Sequence, residues 1–379
     1  MKTKFNFPTR IFFGEHVLDD LPRELVSMGS KRPLLVTDMG LLNTPIPEQI
    51  KNIMEEAHLN VKIFSQVSPN PTDEQVEQGA KEFAEHRADC IVALGGGSPM
   101  DAAKAIQIRV NHHEPLEEYD DLKGGDAKIT GALPALLSIP TTAGTGSEVS
   151  RSAVITVRAA GRKVILFSPR LMPRAAVCDP TLTYGLPARI TAETGMDALS
   201  HSVEAYLSKG YHPMADGIAL QAISMVSANL VKAAENGNDE QARRQMMMAS
   251  TMGAVAFQKG LGVIHSLAHP LSSVSGVSHG LANALMMPHA LAFNAQQVPE
   301  RVADIARAMG AQDQSPEGAI RAVDDLLVRL GLKAGLSQVG VKESDIDDLV
   351  QKAMEDGCHM SNPRPCDEHD MRSLFLAAW

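Results

Sequence analysis

Near Gly185 the hydrophobic pattern changes period, and the change limits what each half of the chain can become. Before it, short apolar runs alternate with helix-period stretches: Pro33-Leu34-Leu35-Val36-Thr37-Asp38, Cys90-Ile91-Val92-Ala93-Leu94 and Pro134-Ala135-Leu136-Leu137-Ser138-Ile139. A strand with one wet face alternates polar and apolar residues. Runs without alternation belong to parallel sheets covered on both faces by helices. After Gly185 strand-like runs vanish. Helical spacing covers 187–207, 214–235, 239–258, 261–271, 279–293, 299–309, 316–330 and 343–354, with Pro187, Pro299 and Pro316 at first helical positions. The expectation is an α/β domain with a Rossmann-like parallel sheet over 1–184, then an all-α domain over 185–379. A chain of 379 residues is long enough for two cores.

Smaller elements fill in the first half. Phe5 to Phe13 reads as one or two short edge strands, and helices are expected over 17–28, 46–58 and 73–87. A strand is expected over 61–64 and another over 176–179. The polar stretch 111–128 reads as loop. Val154–Val157 and Lys163–Phe167 form a hairpin around Ala159-Ala160-Gly161.

The strand ends carry the signals for a bound nucleotide. In open α/β sheets ligands bind beyond the carboxyl ends of the strands. Asp38 ends one strand, where its carboxylate can accept both ribose hydroxyls of NAD and repel the 2′-phosphate of NADP. Cys90–Leu94 runs into Gly95-Gly96-Gly97-Ser98-Pro99-Met100-Asp101, a glycine turn that opens a helix. Glycines let backbone approach a pyrophosphate, and the helix start offers N–H groups and a positive dipole end. The spacing is not Gly-x-Gly-x-x-Gly, so the usual dinucleotide fingerprint is absent. A second glycine and hydroxyl loop follows the next strand: Pro140-Thr141-Thr142-Ala143-Gly144-Thr145-Gly146-Ser147. Its hydroxyls and N–H groups suit the nicotinamide half of a dinucleotide; the plain alternative is a capped turn with Thr145 or Ser147 as N-cap.

The second half carries a histidine cluster. Asp197 and His201 are four residues apart in an apolar helical segment, and His265 and His269 repeat that spacing. Residues four apart share one helix face. His279 follows a turn expected over 272–278. Imidazoles and one carboxylate suit a borderline divalent ion, Fe²⁺ or Zn²⁺. Five candidate ligands stand where four suffice, and the spacing alone does not choose among them.

The runs Gly260-Leu261-Gly262-Val263-Ile264-His265, Ala268-His269-Pro270 and His279-Gly280-Leu281-Ala282-Asn283-Ala284 resemble the signature of the iron-dependent (group III) alcohol dehydrogenase family. The likeness extends to Gly-Gly-Gly-Ser-x-x-Asp and to the Thr141–Val149 loop. It implies a dehydroquinate synthase-like fold, a dinucleotide domain followed by a metal-binding helical domain. It implies Asp197, His201, His265 and His279 as metal ligands, with His269 near the substrate as a proton relay. It assigns Asp38, Asn70, Gly95, Gly96, Gly97, Ser98, Asp101, Thr141, Thr142, Thr145, Ser147, Lys163 and Leu182 to the cofactor. The implied cofactors are NAD(H) and Fe²⁺, with Zn²⁺ the competing ion. The implied reaction is hydride transfer between nicotinamide and a primary alcohol or aldehyde in a cleft between the domains.

Composition narrows the partners. The net charge of −10 offers no basic stripe for nucleic acid, and aromatics at 4% offer no stacking platform. The N-terminus has no signal-like apolar stretch, and no run of 18 apolar residues occurs. The four cysteines show no Cys-x-x-Cys spacing, which fits reduced thiols in a cytoplasmic protein. A small-molecule substrate and a homodimer paired through Ile11–Phe13 are expected, without membrane or nucleic acid. Lys259, Arg151 and Arg364 could each meet a substrate anion, or face solvent or an acidic neighbour. A hydroxy acid and semialdehyde pair, such as 4-hydroxybutyrate and succinate semialdehyde, is therefore the second substrate reading. A metal-dependent hydrolase or lyase would use the same cluster to activate water, and nicotinamide binding separates it from the dehydrogenase.

Overall fold

The computed structural model describes residues 5, 7 and 9–379. It comprises two compact units, one of residues 7–142 and 146–183, the other of Tyr184–Trp379 together with Ala143–Thr145.

The first unit is built on eight strands: β1 (Arg10–Phe13), β2 (Pro33–Asp38), β3 (Lys62–Val67), β4 (Cys90–Gly95), β5 (Ala135–Pro140), β6 (Ser152–Val157), β7 (Arg162–Phe167) and β8 (Ala175–Cys178). Six form one parallel sheet in the order β1-β8-β5-β4-β2-β3, and β6 and β7 form the expected antiparallel hairpin. The helices between are α1 (Leu21–Ser27), α2 (Met39–Leu42), α3 (Ile46–Glu56), α4 (Asp73–His86) and α5 (Gly97–Asn111). The absence of alternation in β4 has a direct cause. Ile91 and Ala93 enter one core with Leu34, Val36 and Leu136, whereas Val92 and Leu94 enter a second with Leu35, Leu137 and Ile139. Successive side chains point to opposite faces, so a strand covered on both sides must be apolar throughout. Of the one or two strands expected over 5–13, β1 forms over Arg10–Phe13 alone; residues 5, 7 and 9 are not in a strand, and residues 6 and 8 lie outside the described residues. The stretch 111–128 contains three short 3₁₀ turns.

The second unit is helical: α6 (Ala188–Leu207), α7 (Pro213–Glu235), α8 (Glu240–Ala256), α9 (Val263–Ser275), α10 (His279–Ala295), α11 (Pro299–Ala308), α12 (Pro316–Arg329), α13 (Ile346–Glu355) and α14 (Glu368–Ala377). Helix α7 is long and apolar enough to cross a membrane by length and composition alone. Here it is a core helix against α6 and α8, with Ala219, Ala222, Ile223, Val226 and Leu230 fully buried. A fully buried Leu or Ile contributes roughly 1.5–3 kcal/mol.

Two expectations change. The turn expected over 272–278 is shorter, because α9 continues through Pro270 to Ser275 and ends at Gly276, whose φ of 70° is the left-handed C-cap conformation. The C-terminal tail also contains a helix that the sequence reading omitted. Asp367 and Asp370 start α14 with a capping box just after the irregular stretch around Pro363 and Pro365.

Candidate metal centre and nucleotide site

Within the helical unit, α6, α9 and α10 bring four side chains together. The i, i+4 pair on α6 gives Asp197 and His201; α9 gives His265, and the first residue of α10 gives His279. Asp197 Oδ1 lies 3.7 Å from His201 Nε2, 3.8 Å from His265 Nε2 and 3.4 Å from His279 Nε2. Metal bonds of about 2.1 Å at tetrahedral angles set donor atoms about 3.4 Å apart. Asp197, His265 and His279 offer atoms that all lie within 4.8 Å of one another, a group that could hold a metal ion, while His201 joins it through its 3.7 Å approach to Asp197 Oδ1. Asn283, one turn after His279, adds a second indication. Its amide nitrogen is 2.8 Å from Asp197 Oδ1 and 3.2 Å from His279 Nε2, while its Oδ1 is buried with no hydrogen-bond partner. The amide thus turns its positive end toward the convergence of acceptors and leaves its own oxygen unsatisfied. The spot favours positive charge.

The electrostatics agree. Burial alone would raise the pKa of Asp197, but His201, His279, His265 and the Asn283 amide together hold it below the ordinary carboxylate range. Burial lowers the pKa of His201 against the opposing pull of Asp197. Burial also acts to lower that of His265, but the adjacent Glu204 and Asp197 outweigh it and raise it. Glu204 was missed in the sequence. It sits one turn after His201 on α6, is 2% exposed, and places Oε2 2.5 Å from His265 Nδ1. The signal available was an acid in an otherwise apolar helical segment; its partner is 61 positions away.

His269 stands beside this group. Its ring stacks on that of His279, with centroids 5.3 Å apart, and its Nδ1 is 2.7 Å from Asp356 Oδ2. Asp356 also accepts from Ser266 Oγ at 2.8 Å and Cys358 N at 2.9 Å. Burial would raise its pKa, but His269 and these donors hold it far below the usual carboxylate range. With Nδ1–H directed at a carboxylate, neutral His269 carries its lone pair on Nε2.

In the sheet unit the nucleotide candidates gather at the carboxyl ends of β2, β4 and β5. Gly95 has φ 140°, and a Cβ there would stand 2.7 Å from Pro99 Cγ and 3.3 Å from Asp38 Oδ2. A Cβ on Gly96 would stand 3.2 Å from Thr142 Oγ1, so only glycines leave this floor open. Asp38 Oδ1 caps α2 through Leu41 N at 2.8 Å. Thr141 N donates to Gly95 O at 3.0 Å. Ser98 Oγ donates to Pro69 O at 2.6 Å, and Ser68 Oγ to Asn70 O at 2.8 Å, which ties the Asn70 turn to the glycine turn. Gly96, the N-cap of α5, supplies no side-chain cap, so the N–H groups from Gly97 onward lack the side-chain acceptor that a pyrophosphate can replace. The residues fit a dinucleotide.

Asp101 and Ser147 bond to each other. Asp101 accepts from Ser147 Oγ at 2.8 Å and from Val154 N at 3.0 Å. Lys104, which the sequence reading did not single out, is fully buried and donates to Ser147 O at 2.8 Å, Ser147 Oγ at 2.7 Å and Ser152 O at 2.9 Å. Burial pulls its pKa down to about 8 against Asp101 and Glu148. Burial also lowers the pKa of Lys163, opposed by Asp101. Leu182 belongs to the apolar core beneath the sheet. Thr145 groups with the helical unit, where a Cβ on neighbouring Gly144 would stand 2.7 Å from Thr194 Cβ.

Each of the three cations considered for a substrate anion already has partners. Lys259 donates to Tyr206 O at 2.9 Å and to Asp216 Oδ1 at 2.5 Å, with a side chain 2% exposed. Arg364 lies 3.7 Å over the Phe293 ring and donates to Gln296 Oε1 at 2.9 Å. Arg151 lies 4.7 Å over the Phe167 ring, in the field of Asp121.

Known proteins resemble this chain along its length. The family described as "Iron-containing alcohol dehydrogenase" matches residues 8–180, and "Fe-containing alcohol dehydrogenase family, C-terminal" matches 191–379. A 4-hydroxybutyrate dehydrogenase of Cupriavidus necator is 42% identical over 366 residues, 94% of each chain. A crystal structure of 1,3-propanediol oxidoreductase superposes with a TM-score of 0.96 at 37% identity, covering 100% of both chains. A sulfoacetaldehyde reductase from Bifidobacterium kashiwanohense, solved in complex with NAD⁺, superposes with a TM-score of 0.88 at 29% identity, covering 100% of this chain and 99% of that one. With both family regions matched and a relative 42% identical over 94% of the chain, the chain belongs to the iron-containing alcohol dehydrogenase family.

Proposed function

We propose that the protein is a metal-dependent, NAD(H)-linked alcohol dehydrogenase and aldehyde reductase working on small primary alcohols and their aldehydes. The observation that carries this reading is the placement of three imidazole Nε2 atoms within 3.4–3.8 Å of Asp197 Oδ1. Asp197, His201, His265 and His279 would hold Fe²⁺, with Zn²⁺ able to compete because it binds such donors more tightly. When bound, the ion supplies Lewis-acid polarisation of a substrate oxygen, and the nicotinamide supplies or takes the hydride. Asp38 would favour NAD(H), since its carboxylate accepts ribose hydroxyls and repels a 2′-phosphate. The open glycine floor at Gly95–Gly97 supports the pyrophosphate position, with Asn70, Ser98, Thr141, Thr142, Thr145, Lys163 and Leu182 as further cofactor contacts. Asp101 and Ser147 hold that floor.

His269 takes the role of proton relay. Asp356 keeps its Nδ1 protonated, so Nε2 is free to take the proton that the substrate hydroxyl loses on oxidation and to return it on reduction. We place the protein in the cytoplasm as a homodimer. The support is that Cys90, Cys178, Cys358 and Cys366 form no disulfide, and that β1 is an end strand with Ile11 41% exposed.

A second substrate reading is favoured by the 4-hydroxybutyrate dehydrogenase at 42% identity: a hydroxy acid and semialdehyde pair. Lys259 is tied to Asp216 and Arg364 to Gln296, which argues against those two as the carboxylate's partners, whereas Arg151 only stacks on Phe167 and keeps its N–H fork. The test is NADH oxidation by iron-loaded protein over short aldehydes, 3-hydroxypropionaldehyde and succinate semialdehyde. Neutral aldehydes with the higher kcat/KM support the first reading, succinate semialdehyde the second. Binding of neither NADH nor NADPH would remove the dehydrogenase reading.

A further inference from the structure

Helix α9 starts at Gly262, an N-cap with no side-chain oxygen, yet its first N–H groups are satisfied from elsewhere in the helical unit. Val263 N donates to Asn362 Oδ1 at 3.3 Å, and Ile264 N donates to Glu204 Oε1 at 2.6 Å. His265 N lies 3.4 Å from the same Glu204 oxygen. A Cβ on Gly262 would stand 2.8 Å from Asn362 Oδ1 and 2.9 Å from Glu204 Oε1, so a bare backbone is what lets both acceptors approach. The other oxygen of Glu204 is 2.5 Å from His265 Nδ1, and His265 Nε2 faces Asp197 Oδ1 at 3.8 Å. One carboxylate therefore holds both the backbone and the ring of the same histidine.

We propose that Glu204 is the positioning residue of the metal centre: it sets the tautomer and the aim of His265 before any ion arrives. The proposal rests on the reading of Asp197, His201, His265 and His279 as the ligand set. A neutral imidazole has one N–H and one lone pair. Glu204 only accepts, so it takes the Nδ1–H and leaves the lone pair on Nε2, facing Asp197 Oδ1. A carboxylate buried in an apolar helix persists only if each oxygen is engaged, and both are. Glutamine is nearly the same size but cannot substitute. Facing the backbone N–H groups of α9, its NH₂ sets donor against donor; facing the ring, it makes Nδ1 the acceptor and moves the proton to Nε2, the nitrogen that faces Asp197.

The test compares zinc binding by metal-stripped wild type, Glu204→Gln and Asn362→Ala, measured by competition with a chromophoric chelator. Both residues cap α9, but only Glu204 touches the imidazole. The proposal expects Glu204→Gln to weaken zinc binding about 10- to 100-fold. Asn362→Ala should lower the Tm of the metal-free protein and leave zinc affinity near wild type. Wild-type zinc affinity in Glu204→Gln would overturn the proposal, as would an equal loss in Asn362→Ala, which would reduce Glu204 to a helix cap. If Glu204→Gln does not fold, the ¹⁵N spectrum of metal-free wild type decides: His265 protonated on Nδ1 with a bare Nε2 supports the proposal, and the Nε2–H tautomer overturns it. Wild-type protein that takes up no zinc would sink the ligand-set reading, and this proposal with it.

Discussion

Asp197 Oδ1 is the atom on which three imidazoles converge, and its surroundings explain why single residues there have separable roles. His265 and His279 offer nitrogens toward it, whereas His269 turns its Nδ1 away to Asp356. His269→Ala should therefore keep its metal and lose kcat by roughly 10²–10⁴-fold, the range for a positioned acid–base group. Bound metal and single-turnover rate, measured on the same sample, check this. On the nucleotide side, Asp38→Gly should shift the ratio of NADPH to NADH kcat/KM upward by at least about tenfold, or about 1.4 kcal/mol. The pairs Asp197/His201 and His265/His269 could be read from the sequence because i, i+4 spacing is a local geometric fact, whereas the choice of His279 over His269 as a ligand came from the family resemblance. Glu204, Asn283 and Asp356 could not be read there, because what makes each matter is a partner on another helix. Asp356 and His269 are 87 positions apart, and no local pattern announces that meeting.

At the level of elements, close helix contact shapes the centre as much as the ligands do. A Cβ on Gly280 would stand 2.2 Å from Glu193 O on α6, which is backbone and cannot swing aside. Gly280→Ala should push α10 off α6 and carry neighbouring His279 away from Asp197. The expected results are a loss of roughly 1–3 kcal/mol in stability and weaker metal binding, read as Tm and metal content. An unchanged Tm would mean that the two helices are not held at this distance. The same level shows why some boundaries were hidden. Pro270 suggests an early end to α9, but the helix continues to Ser275 and stops only where Gly276 turns left-handed. In α14 the Asp367/Asp370 capping box was present in the sequence, but two nearby prolines masked it.

For the molecule as a whole, the change of pattern at Gly185 foretold a parallel sheet followed by helices, since strand burial and helix period leave direct marks in sequence. The sheet order did not show. That β1 pairs with β8, across most of the first unit's length, follows from how the chain returns rather than from either strand's residues. The outer edge of β1 carries the dimer prediction. Ile11→Lys should convert a dimer into a monomer by light scattering, because lysine on an edge strand opposes strand pairing. Unchanged mass would move the contact elsewhere. The most direct test of the whole account is an anaerobic titration of metal-stripped protein with Fe²⁺, following bound iron and NADH-dependent aldehyde reduction together. Activity should rise in proportion to iron, saturate at about one ion per chain, and be lost with the bound iron in Asp197→Ala. Full activity without metal, or undiminished iron binding in Asp197→Ala, would contradict it.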